Sequence, residues 1–131
     1  MSRTYYLPAV GRVLLALMFV ISGIGKLAAP DATQGFIASV GLPVPLISYL
    51  LAILIEVGGG LLLILGYQTR SASFALAAFT LVTALVFHSD FADQNQMIHF
   101  LKNISITGGL LQVAAFGAGN WSLDNRRLNR T

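Results

Sequence analysis

Five side chains in this sequence have the chemistry and the setting to make a site: Glu56, Lys26, His88, Lys102 and Asn103. Glu56 is the most unusual of them. It stands in the middle of LISYLLAILIEVGGGLLLILG, residues 46–66, a run of about twenty mostly apolar residues, the length that crosses the hydrocarbon core of a bilayer. A carboxylate at that depth is costly to insert, and the glycines that follow it, Gly58, Gly59 and Gly60, are poor helix formers, so the pattern calls for a local reason. Burial works against a charge on Glu56, and a cation close by (Lys26, Lys102 or Arg12) would restore it. A carboxylate there can relay a proton, while an ammonium, an imidazole or an amide can hold a carbonyl oxygen.

The other side chains carry plainer readings beside the chemical ones. Lys26 and Lys102 fit snorkelling anchors, and Asn103 fits an interhelical hydrogen-bonding residue. Asp90 and Asp93 fit a loop that faces water. His88 and His99 flank one loop and invite a metal or a haem, but no third ligand accompanies them, so no metal site is expected. There are no cysteines, which excludes disulfides, thiolate nucleophiles and iron–sulfur or zinc–thiolate sites supplied by this chain. Redox chemistry would therefore need a bound cofactor or a partner protein. The string GIGK at Gly23–Lys26 has neither the upstream glycine nor the following Ser or Thr of a phosphate loop and is not one.

The elements that must position these residues are helices in a membrane. The chain has 131 residues, 56% hydrophobic and only 10% charged, where soluble domains carry roughly 25% charged residues. Its mean hydropathy is +0.76. The expectation is an all-α integral membrane four-helix bundle, a single domain over 1–131 with spans at about 9–27, 46–66, 71–88 and 98–117 and a short tail at 118–131. A cleaved signal peptide is the competing reading of the first segment, and Lys26 beside the small residues, with three later spans, favours an uncleaved helix. Residues 28–45 form a short amphipathic or interfacial connection that ends in GLPVP. The third span is rich in Ala and Thr, which suits close packing in lipid. Gly59 and Gly60, on the Glu56 face, and Gly108 and Gly109 in the fourth span are the positions where helices could approach closely.

Four spans place both termini on one side, together with the Arg70 turn. That side collects Arg3, Arg12, Arg70, Arg126, Arg127 and Arg130, six of the eight Lys and Arg residues, so the termini are expected in the cytoplasm. At about 1.5 Å of rise per residue Glu56 then lies roughly 15 Å below the outer end of its helix. Lys26, His88 and Lys102 fall near the outer boundary, Asn103 about one turn inside it, and Ser22 one turn from Lys26 on the same face. The net charge of +3, with basic residues scattered or terminal, makes nucleic acid an unsuitable partner.

Five stretches give a resemblance. They are the first-span pattern from Arg12 through SGIGKL, EVGGGLLLILGYQTR at 56–70, FHSDFA at 87–92, FLKNISITGG at 100–109 and GAGNWSLD at 117–124. In this order and spacing the chain resembles the DoxX family of small bacterial inner-membrane proteins along nearly its whole length. GAG stands here where many members read GPG, which bears on the turn after the last span. The resemblance implies a four-helix protein of the inner membrane, with relatives linked to quinone-coupled oxidation of sulfur compounds, to quinol oxidase complexes and to oxidative-stress assemblies. It implies no established catalytic set; the family-patterned polar positions are Arg12, Lys26, Glu56, Arg70, His88, Lys102 and Asn103.

Three functions compete on these grounds. The first is a redox-associated subunit that binds a quinone-like molecule, with Glu56 as proton relay and Lys26, His88, Lys102 and Asn103 as ligand-binding groups. The second is a non-enzymatic scaffold for redox or other partner proteins, in keeping with the basic tail and the lack of a cofactor motif. The third, a small transporter or proton relay, would call for a homo-oligomer, because four spans are few and no inverted repeat is visible.

Overall fold

The computed structural model describes residues 5–129, and all of its regular structure is helical, with no strand among the described residues. Arg3 and Arg130, two members of the charge count, lie outside them. Helix α1 runs Leu7–Ala28, with Pro8 in its first turn, where a missing N–H costs nothing, and Lys26 in its last. Pro30 closes it and opens α2, Pro30–Ser39. Gly41, at a φ of +86°, turns the chain into the proline-rich stretch that begins α3, Pro45–Ile53. A π-turn at Leu54–Gly58 follows, and α4 completes the same rod over Gly59–Leu65. Helix α5 spans Thr69–Phe87, α6 spans Gln94–Phe116 and α7 spans Leu123–Leu128. The side chains of Asp93 and Ser122 cap α6 and α7 by accepting from Asn95 N and Asn125 N.

Three helical rods are long and apolar enough to cross a membrane: Leu7–Ala28, Pro45–Leu65 and Thr69–Phe87. Helix α6 is longer, at 23 residues. Its Lys102, Asn103, Ser105, Thr107 and Gln112 leave it less apolar than those three. It lies antiparallel against α5, while α1 packs on α4 and the π-turn.

The core is small. Ala16, Phe19, Leu63, Ala72, Leu76, Ala77 and Leu110 form one buried cluster, and three of these seven are alanines, which lets the backbones come close. The exterior is apolar instead: Leu14, Ile21, Leu54 and Phe116 are 65%, 66%, 68% and 79% exposed. Such a surface drives association in water and is the natural boundary in lipid.

The second span was expected as one regular helix. The structure inserts the π-turn into it, and the turn contains Glu56. The extra residue in the turn shifts the faces of α3 and α4 relative to each other, so the carboxylate and the glycines after it meet different neighbours than an unbroken helix would give.

Candidate functional site

Glu56 is 5% exposed and held from α1. Lys26 Nζ donates to both of its oxygens, at 2.8 and 3.1 Å, and to Ser22 Oγ at 2.9 Å. Ser22 Oγ in turn donates to Glu56 Oε1 at 3.2 Å. The spacing 22–26 is one helical turn, so the hydroxyl and the ammonium share a face of α1 and reach the same carboxylate. All three Lys26 donors are engaged, and the ring of bonds has no net charge. Tyr49 Oη donates to Lys26 O at 2.9 Å and ties α3 to the last turn of α1.

The ion pair borders a cleft of about 540 Å³. Lys26, Glu56, His88 and Asn103 all line it, so the structure brings four of the five chemical side chains to one cavity. Lys102 is exposed and is not among the lining residues. Its neighbour Asn103 faces inward and donates weakly, at 3.4 Å, to Thr80 O and Thr83 Oγ1 of α5. The remaining wall is mostly apolar, including Phe19, Ile55 and Phe79. Met18, Leu51 and Val82 line the cleft and are also 42%, 52% and 57% exposed on the apolar exterior. The cleft therefore opens sideways, between helices. Helix α2 crosses one end of it: Ile37 is buried there and Phe36 stacks on Phe87 with ring centroids 5.3 Å apart.

His88 follows the last residue of α5, one residue past the helical part of the expected span. Its ring lies against that of His99 at a centroid distance of 5.1 Å. Burial, and then the neighbouring His99, push the His88 imidazole below its ordinary value of 6.5. No group of three or more His, Cys, Asp or Glu placed to hold a metal occurs among the described residues.

The glycines divide into two sorts. A Cβ on Gly60 would come within 2.7 Å of Val20 Cγ2, and one on Gly59 within 2.9 Å of Leu76 Cγ, so these two mark close approaches to α1 and α5. Gly23, on α1, does the same against Val57. A Cβ on Gly109 would make an ordinary contact with Leu15, and one on Gly108 would meet nothing within 4 Å. The packing role expected of Gly108 has no counterpart among the described residues.

At the other end of the rods stands a second polar cluster, built around Arg12, a candidate counter-ion for Glu56 in the sequence, and Arg70, which had no expected partner. Arg12 is 2% exposed. Its guanidinium donates to Leu63 O at 2.5 Å, to Ile64 O at 3.3 Å, to Ala118 O at 2.9 Å and to Trp121 O. Arg12 is therefore far from Glu56 and is not its counter-ion. Gly66, at a φ of +66°, turns the chain after α4, and a Cβ there would sit 2.7 Å from Arg12 Nη1 and 2.5 Å from Ser122 Cβ. Asp124 accepts from Gln68 N at 2.9 Å and Thr69 N at 3.0 Å, and its own N–H donates to Gly66 O at 2.8 Å. Burial works against the Asp124 carboxylate, but the bonds from Thr69 and Gln68 and the charge of Arg12 outweigh it, and its pKa lies below the ordinary 3.8. Arg70 Nη1 donates to Ala115 O at 2.9 Å, over Gly117. The single Arg of GYQTR and the single Asp of GAGNWSLD were the available signal, but spacing alone does not reveal a bond between segments more than 50 residues apart.

Comparison with known proteins gives a consistent answer. The family model DoxX matches residues 7–89. The chain is 40% identical over 121 residues to the inner membrane protein YqjF of Escherichia coli K12, covering 92% of this chain and 91% of the relative. It is 36% identical over 123 residues to the inner membrane protein YphA of the same organism, covering 89% of this chain and 87% of the relative. No solved structure matches the chain.

Proposed function

The chain belongs to the DoxX family, a multi-pass protein of the bacterial inner membrane, and from that premise we propose that it is a redox-associated subunit that holds a quinone-like molecule in the cleft at Lys26 and Glu56. The observation that carries this reading is the composition of the cleft. A neutral ring of bonds stands at one wall, His88 and Asn103 stand among its other lining residues, and apolar side chains fill the space between them. At about 540 Å³ the cleft falls within the roughly 300–1,000 Å³ typical of small-molecule sites. Its sideways opening suits a ligand that arrives through lipid.

The topology that goes with this function has α6 as the fourth span and both termini in the cytoplasm. Support comes from the pairing of α6 along α5 and from the collection of Arg12, Arg70, Arg126 and Arg127 at the end where Tyr6 packs against Trp121.

The residues fit a quinone's polar atoms. Such a group supplies electron transfer coupled to proton uptake. Lys26 can turn one N–H from Ser22 to a ligand carbonyl while keeping Glu56 paired. His88 and Asn103 offer donors for a second carbonyl. Glu56, with two oxygens bound to N–H and O–H donors, holds the proton-exchanging position next to the ligand.

Solvent extraction of gently solubilised protein tests the reading. Stoichiometric quinone that is lost in the Glu56→Gln variant, with helicity retained, is the expected result. Absence of quinone from a well-folded preparation overturns it and leaves the scaffold function.

A further inference from the structure

We propose that the pocket at the Arg12 end binds the phosphate headgroup of an anionic phospholipid. This cavity, of about 620 Å³, is separate from the cleft and independent of what the cleft holds. Arg70 and Arg127 line it with Gln68, Ser71, Asn120 and Asn125, a set of donors with an excess of positive charge. Arg70 is fixed in place by its bond to Ala115 O, and its other N–H groups make no hydrogen bond among the described residues. The Arg127 side chain is exposed and forms no ion pair among them. Asp124, the carboxylate in the same pocket, is held by the backbone of Gln68 and Thr69 and forms no ion pair with either arginine among the described residues, which leaves two positive charges against its one negative charge. The guanidinium fork matches phosphate oxygens in pairs.

Three aromatic residues set the depth of this pocket. Tyr6 and Trp121 pack with ring centroids 6.3 Å apart, Trp121 is 65% exposed, and Tyr67 is 38% exposed one residue before Gln68. Rings of this kind sit at the level of the headgroups. Phe116, the most exposed large apolar residue among the described residues at 79%, lines the same pocket. A soluble anion has no use for it. A phospholipid does: the phosphate meets the arginines while an acyl chain runs along Phe116 into the hydrocarbon. Basic pockets at helix ends recognise lipid headgroups on this principle.

The test is native mass spectrometry of the full chain in detergent, with phosphatidylglycerol and phosphatidylcholine of identical chains added in equal amounts. A surface arginine favours an anionic lipid by about fivefold, so the intact protein is expected to retain phosphatidylglycerol by about twenty-five-fold. Arg127→Gln, which breaks no contact among the described residues, lowers the preference about fivefold, and Arg70→Gln/Arg127→Gln removes it. Equal retention of the two lipids, or an unchanged preference in Arg127→Gln, overturns the proposal. Inorganic phosphate at millimolar concentration is expected to leave the bound lipid in place; displacement identifies a free-anion site and overturns the lipid assignment.

Discussion

At one end of the helices Arg12 spends its guanidinium on carbonyl groups of two segments, the end of α4 and the connection between α6 and α7, and at the other Lys26 spends its ammonium on one carboxylate beside a cavity. Both cations are drawn from α1, fourteen residues apart by number, and both sit where a charge is costly. They differ in what surrounds them. The Arg12 partners are fixed backbone carbonyls, and Gly66 is required for the chain to pass so close to it. The Lys26 partners are two side chains, Ser22 on α1 and Glu56 in the π-turn, and both have rotatable bonds. A cluster whose acceptors are fixed backbone carbonyls serves the fold, whereas a charge-neutral pair of side chains facing a cavity can exchange partners with a ligand.

The largest effect is expected from breaking the first cluster. Charge-assisted hydrogen bonds contribute about 1.5–3 kcal/mol each, so losing those of Arg12 removes a large part of the roughly 5–15 kcal/mol that holds a domain folded. Arg12→Met is expected to yield little folded protein by size-exclusion chromatography. Arg12→Lys does not rescue it, because one ammonium cannot reach all the carbonyls that the guanidinium fork bonds on two segments. A well-folded Arg12→Met protein would remove the distinction drawn between the two ends.

Next comes the ion pair. Lys26→Met leaves Glu56 buried without its cation, and breaking a buried pair from one side costs about 3–5 kcal/mol. Adding Glu56→Gln to Lys26→Met is expected to restore most of the thermal stability, since the uncompensated charge is then gone, while bound quinone stays absent. If the double variant is no more stable than Lys26→Met, the pair is not the neutral unit described above.

The unequal legibility of the two ends has a physical cause. A lone Glu in an apolar run, a Lys and a Ser one turn apart, and an Asn and a His at neighbouring span ends are local signals, and depth counting along helices places them at a common level. It does not say which cation faces Glu56, and Arg12 and Lys102 were as eligible as Lys26. The choice depends on helix rotation and on the π-turn, which no residue type announces. The Arg12 cluster is built from backbone carbonyls, which every residue has, so nothing in the sequence marks them as partners. Helix α2 was readable as an interfacial piece from its length, but its place over the cleft follows from Phe36 meeting Phe87. The all-helical architecture was legible because an apolar run of about twenty residues has few other solutions in lipid.

Glycine substitutions sharpen the contrast between places where backbones meet and places where they do not. Gly60→Ala puts a methyl group against Val20 and the Ala16 carbonyl, and overpacking of this kind costs about 1–3 kcal/mol. Gly108→Ala has open space and a helical backbone, so it is expected to be neutral or to stabilise by about 0.4–1 kcal/mol. Thermal melts in one detergent compare the two. A loss in Gly108→Ala equal to that in Gly60→Ala would mean that α6 packs against something outside this chain at that position.

The smallest effect concerns pH, and it separates the two ends by the groups they protonate. His88 has its folded-state value lowered, first by burial and then by His99, so protonation favours the unfolded chain. Its contribution to stability is fully present above the ordinary imidazole value of 6.5 and is lost as pH falls below it. Asp124 is also lowered, from 3.8, so its contribution persists to far more acid conditions and disappears only as pH falls through the carboxylate range. Between these two windows the cleft end weakens while the Arg12 end holds. Melting profiles are therefore expected to fall modestly on going below pH 6.5 in the intact protein and to flatten there in His88→Gln, whose side chain stays neutral. Asp124→Asn should leave that shoulder in place and lower the whole profile instead. A shoulder that survives His88→Gln unchanged would assign the acid sensitivity to another group and remove the link between His88 protonation and the cleft.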